Sequence, residues 1–153
     1  MSGRRDSVWV EPIYLDASAL VKLLVPEPQS DRLNRSLIGA GDVIVSDLSL
    51  TETVSALGRR MREGRLTPHE ARRLWREATR VAAACRHAEL TPPTHRRAER
   101  LLLAAGRTAL RSLDALHIAL ALDAGAATMV TFDLRLAQVA STCALFVAPE
   151  PAR

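Results

Sequence analysis

Short apolar runs without polar alternation are separated along this chain by longer segments with helical spacing. The runs Ile13-Tyr14-Leu15, Val43-Ile44-Val45, Thr128-Met129-Val130-Thr131-Phe132 and Leu145-Phe146-Val147 read as strands, and Leu90 marks a further short one before Pro92-Pro93. Between them, Ser18 to Val25 reads as a helix halted by Pro26 and Pro28, and Ser30 to Ile38 as one ending at Gly39-Ala40-Gly41. Leu50, Val54, Leu57 and Met61 recur at helical spacing and mark the buried stripe of a third helix, closed by Gly64. Thr67-Pro68-His69-Glu70 combines a capping hydroxyl, proline at the first helical position and a capping-box glutamate, opening a helix to about His87. Further helices are predicted over Thr94 to Ala105, over Ser112 to Ala124 with Ser112 as cap, and over Leu134 to Ala140.

Strands therefore alternate with helices, and the strands are short and apolar on both sides. That pattern belongs to a parallel sheet covered on both faces. In the helix from Thr67, Leu74, Trp75, Ala78, Val81 and Ala82 form one stripe, with Arg72, Arg73, Arg76 and Arg80 largely opposite. Leu74, Trp75 and Met61 read first as core and second as the lining of a groove for a partner helix.

A length of 153 residues fits one domain, expected over 11–148, with a flexible arm over 1–10 and a tail over 149–153. Hydrophobic residues at 48% and charged residues at 25% exclude disordered and fibrous classes. No secretory h-region and no membrane-length apolar stretch is visible, which makes the cytoplasm the expected compartment. Cys85 and Cys143 match no metal or redox spacing and read as small reduced core residues.

The formal charge is +4, and Lys22 is the only lysine, so arginine carries nearly all the positive charge. Guanidinium forks match phosphate geometry, which points to a nucleic-acid partner; a solvated, association-resistant surface is the plainer alternative. Aromatic residues at 3% exclude base stacking on an aromatic platform as the mode of binding.

Asp16 directly follows the first strand and Asp133 the strand at 128–132, which puts both at strand carboxyl ends, where α/β sheets bind ligands. Either could instead be a helix N-cap. Asp114 opens a helix that is apolar almost all round, so it must reach solvent or face a positive charge. Glu52 lies off the Leu50 stripe, on the face of Leu48, Thr51 and Ser55. Four converging carboxylates repel one another, and a divalent cation removes that cost. An all-oxygen set selects Mg²⁺ or Mn²⁺ over zinc, and such ions commonly also bind substrate phosphate. Metal-assisted phosphodiester hydrolysis follows as the expected chemistry. On this view, neutralising all four carboxylates should stabilise the metal-free protein.

The segments Ile13-Tyr14-Leu15-Asp16-Ala17-Ser18-Ala19-Leu20, Thr51-Glu52, Arg111-Ser112-Leu113-Asp114-Ala115-Leu116-His117-Ile118-Ala119 and Thr131-Phe132-Asp133-Leu134-Arg135-Leu136 strongly resemble a PIN-domain protein, and most closely the VapC-type ribonuclease toxins. The resemblance runs from about residue 13 to 147. It implies a three-layer α/β/α sandwich with a short, mainly parallel central sheet. It also implies a Mg²⁺-dependent endoribonuclease, an RNA substrate, a cognate antitoxin and a homodimer, with no membrane association. It gives acidic, metal-holding roles to Asp16, Glu52, Asp114 and Asp133, and a supporting hydrogen bond to Ser18. Ala17 stands where many relatives have threonine.

Around this set, Thr131 could orient Asp133 through its hydroxyl. His117, one turn beyond Asp114, is either a ligand or base or a satisfied buried histidine. Asp47 is either a cap of the following helix or a further cleft residue. Arg72, Arg73, Arg76 and Arg111 are candidate RNA contacts. Two other functions fit part of the pattern. A phosphatase could use Asp16 as nucleophile, though Ser18 stands where a second aspartate is wanted. A non-catalytic interaction module would not need four intact acidic positions.

Overall fold

The computed structural model describes residues 9–150, in the order β1 (Ile13–Leu15), α1 (Ala17–Leu24), α2 (Ser30–Leu37), β2 (Val43–Ser46), α3 (Asp47–Arg62), α4 (Pro68–Ala83), β3 (Arg86–Ala88), α5 (Pro92–Ala104), α6 (Ser112–Asp123), β4 (Thr128–Val130), α7 (Leu134–Ala140) and β5 (Phe146–Ala148). Of the expected arm and tail, residues 1–8 and 151–153 lie outside the described residues. The strands pair in the order β3-β2-β1-β4-β5, all parallel, with Ile13 opposite both Val43 and Thr128. The strand order reverses at β1, so β1 and β4 flank the point where open α/β sheets bind ligands.

Alternation along each strand divides the core in two. Tyr14, Ile44 and Met129 face Ile118 and Ala121 of α6 and Leu136 and Ala140 of α7. Ile13, Leu15, Val45 and Val130 face Ala19 and Leu20 of α1, Leu33 of α2 and Ala82 of α4. Helix α5 packs on α6 through Ala98 against Ala115 and Ala119. Helices thus cover both faces of a parallel sheet, the α/β/α arrangement expected.

Several boundaries move. β4 ends at Val130, two residues earlier than predicted, because the amides of Phe132 and Asp133 turn to the side-chain hydroxyls of Ser18 and Thr131 and leave the ladder. α4 stops at Ala83, and the strand predicted at Leu90 is instead Arg86–Ala88, paired with Ile44–Ser46. Thr91 caps α5, which starts at Pro92. Arg111, not Ser112, holds the cap position of α6, with no side-chain cap bond. Cys85 and Cys143 are free thiols, half-buried on opposite faces of the sheet.

The buried face of α3 is not the apolar stripe. Ser49, Thr53 and Leu57 are buried at i, i+4, i+8, whereas Val54 and Met61 are exposed. Polar side chains can take this face because their protons have acceptors: Ser49 Oγ donates to the Leu15 carbonyl (2.8 Å) and Thr53 Oγ1 to the Ser49 carbonyl (2.7 Å).

In α4, Ala71, Leu74, Ala78 and Ala82 form the buried stripe and Leu74 joins a small core with Leu24 and Leu57. Trp75 is 37% exposed, so the core reading fails for it, as it does for Met61. Leu74→Ala should then cost about 2–5 kcal/mol, and Trp75→Ala only about 1 kcal/mol, nearer the ordinary range for partly exposed positions. Thermal melts of the two variants check this; an equal drop would return Trp75 to the core.

Candidate active site

Asp16 is held where β1 leaves the sheet. Its Oδ1 accepts from the Ala19 backbone N–H at 2.8 Å, so it caps α1. Ser18 Oγ donates to the same carboxylate at 2.7 Å, and Thr131 Oγ1 donates to Oδ2 at 2.6 Å. Those two hydroxyls are themselves fixed from the end of β4, since Phe132 N donates to Ser18 Oγ and Asp133 N to Thr131 Oγ1. Ser18 supports Asp16 as the resemblance implied. Thr131 does not orient the Asp133 carboxylate; its proton goes to Asp16, and it receives only the Asp133 amide. Burial raises the Asp16 carboxyl above its usual range, a push that Thr131, His117, Ser18 and the Ala19 amide oppose.

Asp133 caps α7, with Oδ1 accepting from the amides of Arg135 and Leu136. Its other oxygen accepts from Arg111 Nη2 at 2.9 Å. Desolvation works against its charge, but Arg111 and the two amides prevail and hold its carboxyl below the ordinary value. Both strand-end aspartates are therefore helix caps and cleft residues at once. The positive group that Asp114 required is also Arg111: Nε donates to Oδ2 at 2.8 Å and Nη2 to Oδ1 at 3.0 Å. The two carboxylates push the Arg111 guanidinium still further toward its charged form.

Glu52 meets His117. Nε2 of the buried ring bonds Glu52, and Nδ1 lies 2.8 Å from the Tyr14 hydroxyl. Tyr14 in turn bonds Ser46 Oγ at 2.8 Å. The hydroxyls of Ser46 and Ser49 continue the chain from Tyr14, and Ser49 ends it on the Leu15 carbonyl. Burial raises the Tyr14 hydroxyl well above its ordinary value, partly offset by Ser46 and Ser49, so it stays protonated. His117 is thus the satisfied buried histidine of the two alternatives, with both ring nitrogens occupied. The residues missed in the sequence are Tyr14, Ser46 and Ser49. Their signal is polar groups at core positions of a strand end and of a helix start. His117→Ala would strip the buried Tyr14 hydroxyl and Glu52 of a partner and should cost about 2–4 kcal/mol. Tyr14→Phe, which removes one hydroxyl and keeps the ring, should cost less; thermal melts giving the reverse order would dissolve the chain as a structural unit.

All four predicted carboxylates, Asp16, Glu52, Asp114 and Asp133, line one cleft of about 730 Å³, together with Ser18, His117 and Phe132. Lys22, Arg59, Arg60 and Arg111 line the same cleft. Lys22 and Arg60 both pair with Glu27, while among the described residues Arg59 has no ion-pair partner. Arg72, Arg73 and Arg76 are exposed on α4 and do not line the cleft. Arg111 does, but as the partner of Asp114 and Asp133. Asp47 is absent from the cleft and is not the cap of α3, a role Ser46 takes; its carboxylate accepts the Leu90 amide at 3.0 Å.

Four carboxylates give the cleft an oxygen-rich lining that suits a hard divalent cation, with Arg111 already supplying positive charge to two of them. Among the described residues, no three His, Cys, Asp or Glu side chains converge closely enough to hold a metal as they stand. The carboxylates are turned to protein partners instead: Arg111 for Asp114 and Asp133, His117 for Glu52, hydroxyls for Asp16. These partners offset part of the repulsion inferred from sequence, so neutralising all four carboxylates would also take away the partners of Arg111, His117 and the two hydroxyls.

The PIN domain family model matches residues 13–141. Ribonuclease VapC45 of Mycobacterium tuberculosis is 35% identical over 139 residues, covering 90% of this chain and 94% of that one. Ribonuclease VapC46 of the same species is 36% identical over 140 residues, covering 88% and 95%. Among solved structures, M. tuberculosis VapC20, described as a sarcin–ricin loop cleaving toxin, superposes with a TM-score of 0.66 at 20% identity, over 82% of this chain and 93% of that one. At that identity the likeness speaks for the fold, and the sequence match speaks for the rest: this chain belongs to the PIN-domain family, among the VapC proteins.

Proposed function

We propose that the protein is a divalent-metal-dependent endoribonuclease acting as the toxin of a toxin–antitoxin pair. The observation that carries this reading is the meeting of Asp16, Glu52, Asp114 and Asp133 in one cleft that also presents arginine. The names of its relatives, ribonuclease VapC45 and VapC46, agree with it. Asp16, Asp114, Asp133 and Glu52 are the residues that would hold the cation, Mg²⁺ or Mn²⁺. When bound, such an ion activates water and neutralises charge on the scissile phosphate. The chain's own part is positioning. Hydroxyls of Ser18 and Thr131 fix Asp16, the His117–Tyr14 chain fixes Glu52, and Arg59, without an ion pair among the described residues, offers its fork to phosphate at the cleft wall.

Arg72, Arg73 and Arg76 would extend RNA contact beyond the cleft. An antitoxin partner fits the occurrence, among the fold's neighbours, of VapBC2 from Rickettsia felis bound to a promoter DNA fragment; that structure superposes with a TM-score of 0.62 at 14% identity, over 88% of this chain and 96% of that one. A homodimer and a cytoplasmic site of action complete the reading. Among the described residues, no helix is long and apolar enough to cross a membrane. The decisive experiment is RNA cleavage with Mg²⁺ and with chelator, by wild type and Asp16→Asn. Cleavage that survives both the chelator and the substitution would sink the proposal.

A further inference from the structure

Arg111 occupies the cap position of α6 without capping it. Its side chain turns instead to two carboxylates from different elements. Both oxygens of Asp114 accept from it, and so does Oδ2 of Asp133. The remaining oxygen of Asp133 is committed to the amides of Arg135 and Leu136, so the one Arg111 holds is the one left for any other cation. The Asp114 side chain is only 5% exposed and has to keep a positive partner; the Arg111 side chain is 50% exposed and lines the cleft. Burying a carboxylate is tolerable only with compensating charge, and here either a guanidinium or a metal ion can supply it. The two compete, because they draw on the same oxygens and repel each other.

We propose that Arg111 is a resident counter-ion which a divalent cation must displace from Asp114 and Asp133, and which, once displaced, turns its fork to a phosphodiester of RNA in the same cleft. This rests on the ribonuclease reading. Displacement leaves the guanidinium inside the cleft with its carboxylates taken, and a planar fork of donors is suited to two phosphate oxygens. Metal loading and substrate grip then become one event: the empty site keeps Arg111 locked, and the loaded site releases it.

The test is direct Mn²⁺ binding, read from the electron-spin-resonance signal of free Mn²⁺, for wild type, Arg111→Gln and Arg111→Lys. Binding of a 2′-O-methyl RNA, which resists cleavage, is then measured in Mn²⁺ buffer. Arg111→Gln should bind Mn²⁺ about tenfold more tightly than wild type and the RNA about tenfold more weakly. Arg111→Lys, which keeps a charge but not the fork, should bind Mn²⁺ with intermediate affinity, and it carries the test if the glutamine variant does not fold. Mn²⁺ affinity unchanged or weakened in both variants overturns the proposal, as does RNA affinity that survives Arg111→Gln. A wild type that cleaves RNA yet binds no Mn²⁺ overturns the metal reading itself; one that binds Mn²⁺ with no gain on substitution overturns only the role of Arg111.

Discussion

Asp16→Asn should remove most RNA cleavage, on the order of 10²-fold or more, while leaving the fold in place. Asparagine keeps the oxygen that accepts from the Ala19 amide, so the α1 cap survives. The second oxygen becomes an NH₂ facing the hydroxyls of Ser18 and Thr131, which can rotate but no longer have an anion to serve. The change therefore falls on the charge that the cleft presents more than on packing. Glu52→Gln, Asp114→Asn and Asp133→Asn should each act similarly on cleavage, and double variants should lose little more than single ones because the carboxylates work as one unit. Their stabilities should differ. Asp114→Asn loosens the Arg111 fork over a nearly buried side chain, whereas Asp133→Asn keeps the cap oxygen of α7. Cleavage assays paired with thermal melts separate the two effects. A variant that cleaves near-normally would remove its residue from the site.

How much of this was legible in the sequence depends on whether one residue type or a long-range partner decides the matter. Parallel strands could be read from Ile13–Leu15 and Val43–Val45 because runs apolar on both faces have few other uses. Asp16 and Asp133 could be placed because strand ends in such sheets converge by topology. The buried face of α3 could not, since Ser49 and Thr53 look like surface residues until the Leu15 carbonyl and the helix's own backbone are there to take their protons. Trp75 failed for the opposite reason. A large apolar residue beside Leu74 shares its stripe by spacing, yet the buried stripe of α4 runs through Ala71, Leu74, Ala78 and Ala82 and leaves it at the edge. Charge partners are the hardest case. For Arg111, an arginine next to a motif says nothing about which way its side chain turns. Only the closeness of α6 to the end of β4 reveals that it bridges Asp114 and Asp133. Arg59 and Arg60 of α3, rather than Arg72 or Arg73 of α4, join Arg111 on the cleft wall.

Mg²⁺ or Mn²⁺ should raise the melting temperature of the wild type and leave that of the quadruple variant Asp16→Asn/Glu52→Gln/Asp114→Asn/Asp133→Asn unmoved. An ion at a hundred times its dissociation constant stabilises the form that binds it by about 2.7 kcal/mol. For a chain of this size each kcal/mol moves the melting point by about 2–4 °C, so the expected rise is about 5–10 °C. The metal-free comparison carries the sharper information. Were the carboxylates left to repel one another, the quadruple variant would melt above the wild type in chelator. The structure pairs Asp114 and Asp133 with Arg111, sets Glu52 on His117 and surrounds Asp16 with hydroxyl donors. Neutralising the set removes the partners of Arg111 and leaves those hydroxyls facing amides. The quadruple variant should therefore melt at or below the wild type in chelator, and the gap should widen when metal is added. Equal metal responses in the two proteins would mean that the ion binds elsewhere. A quadruple variant several degrees more stable without metal would mean that repulsion outweighs the compensation supplied by Arg111, His117 and the hydroxyls.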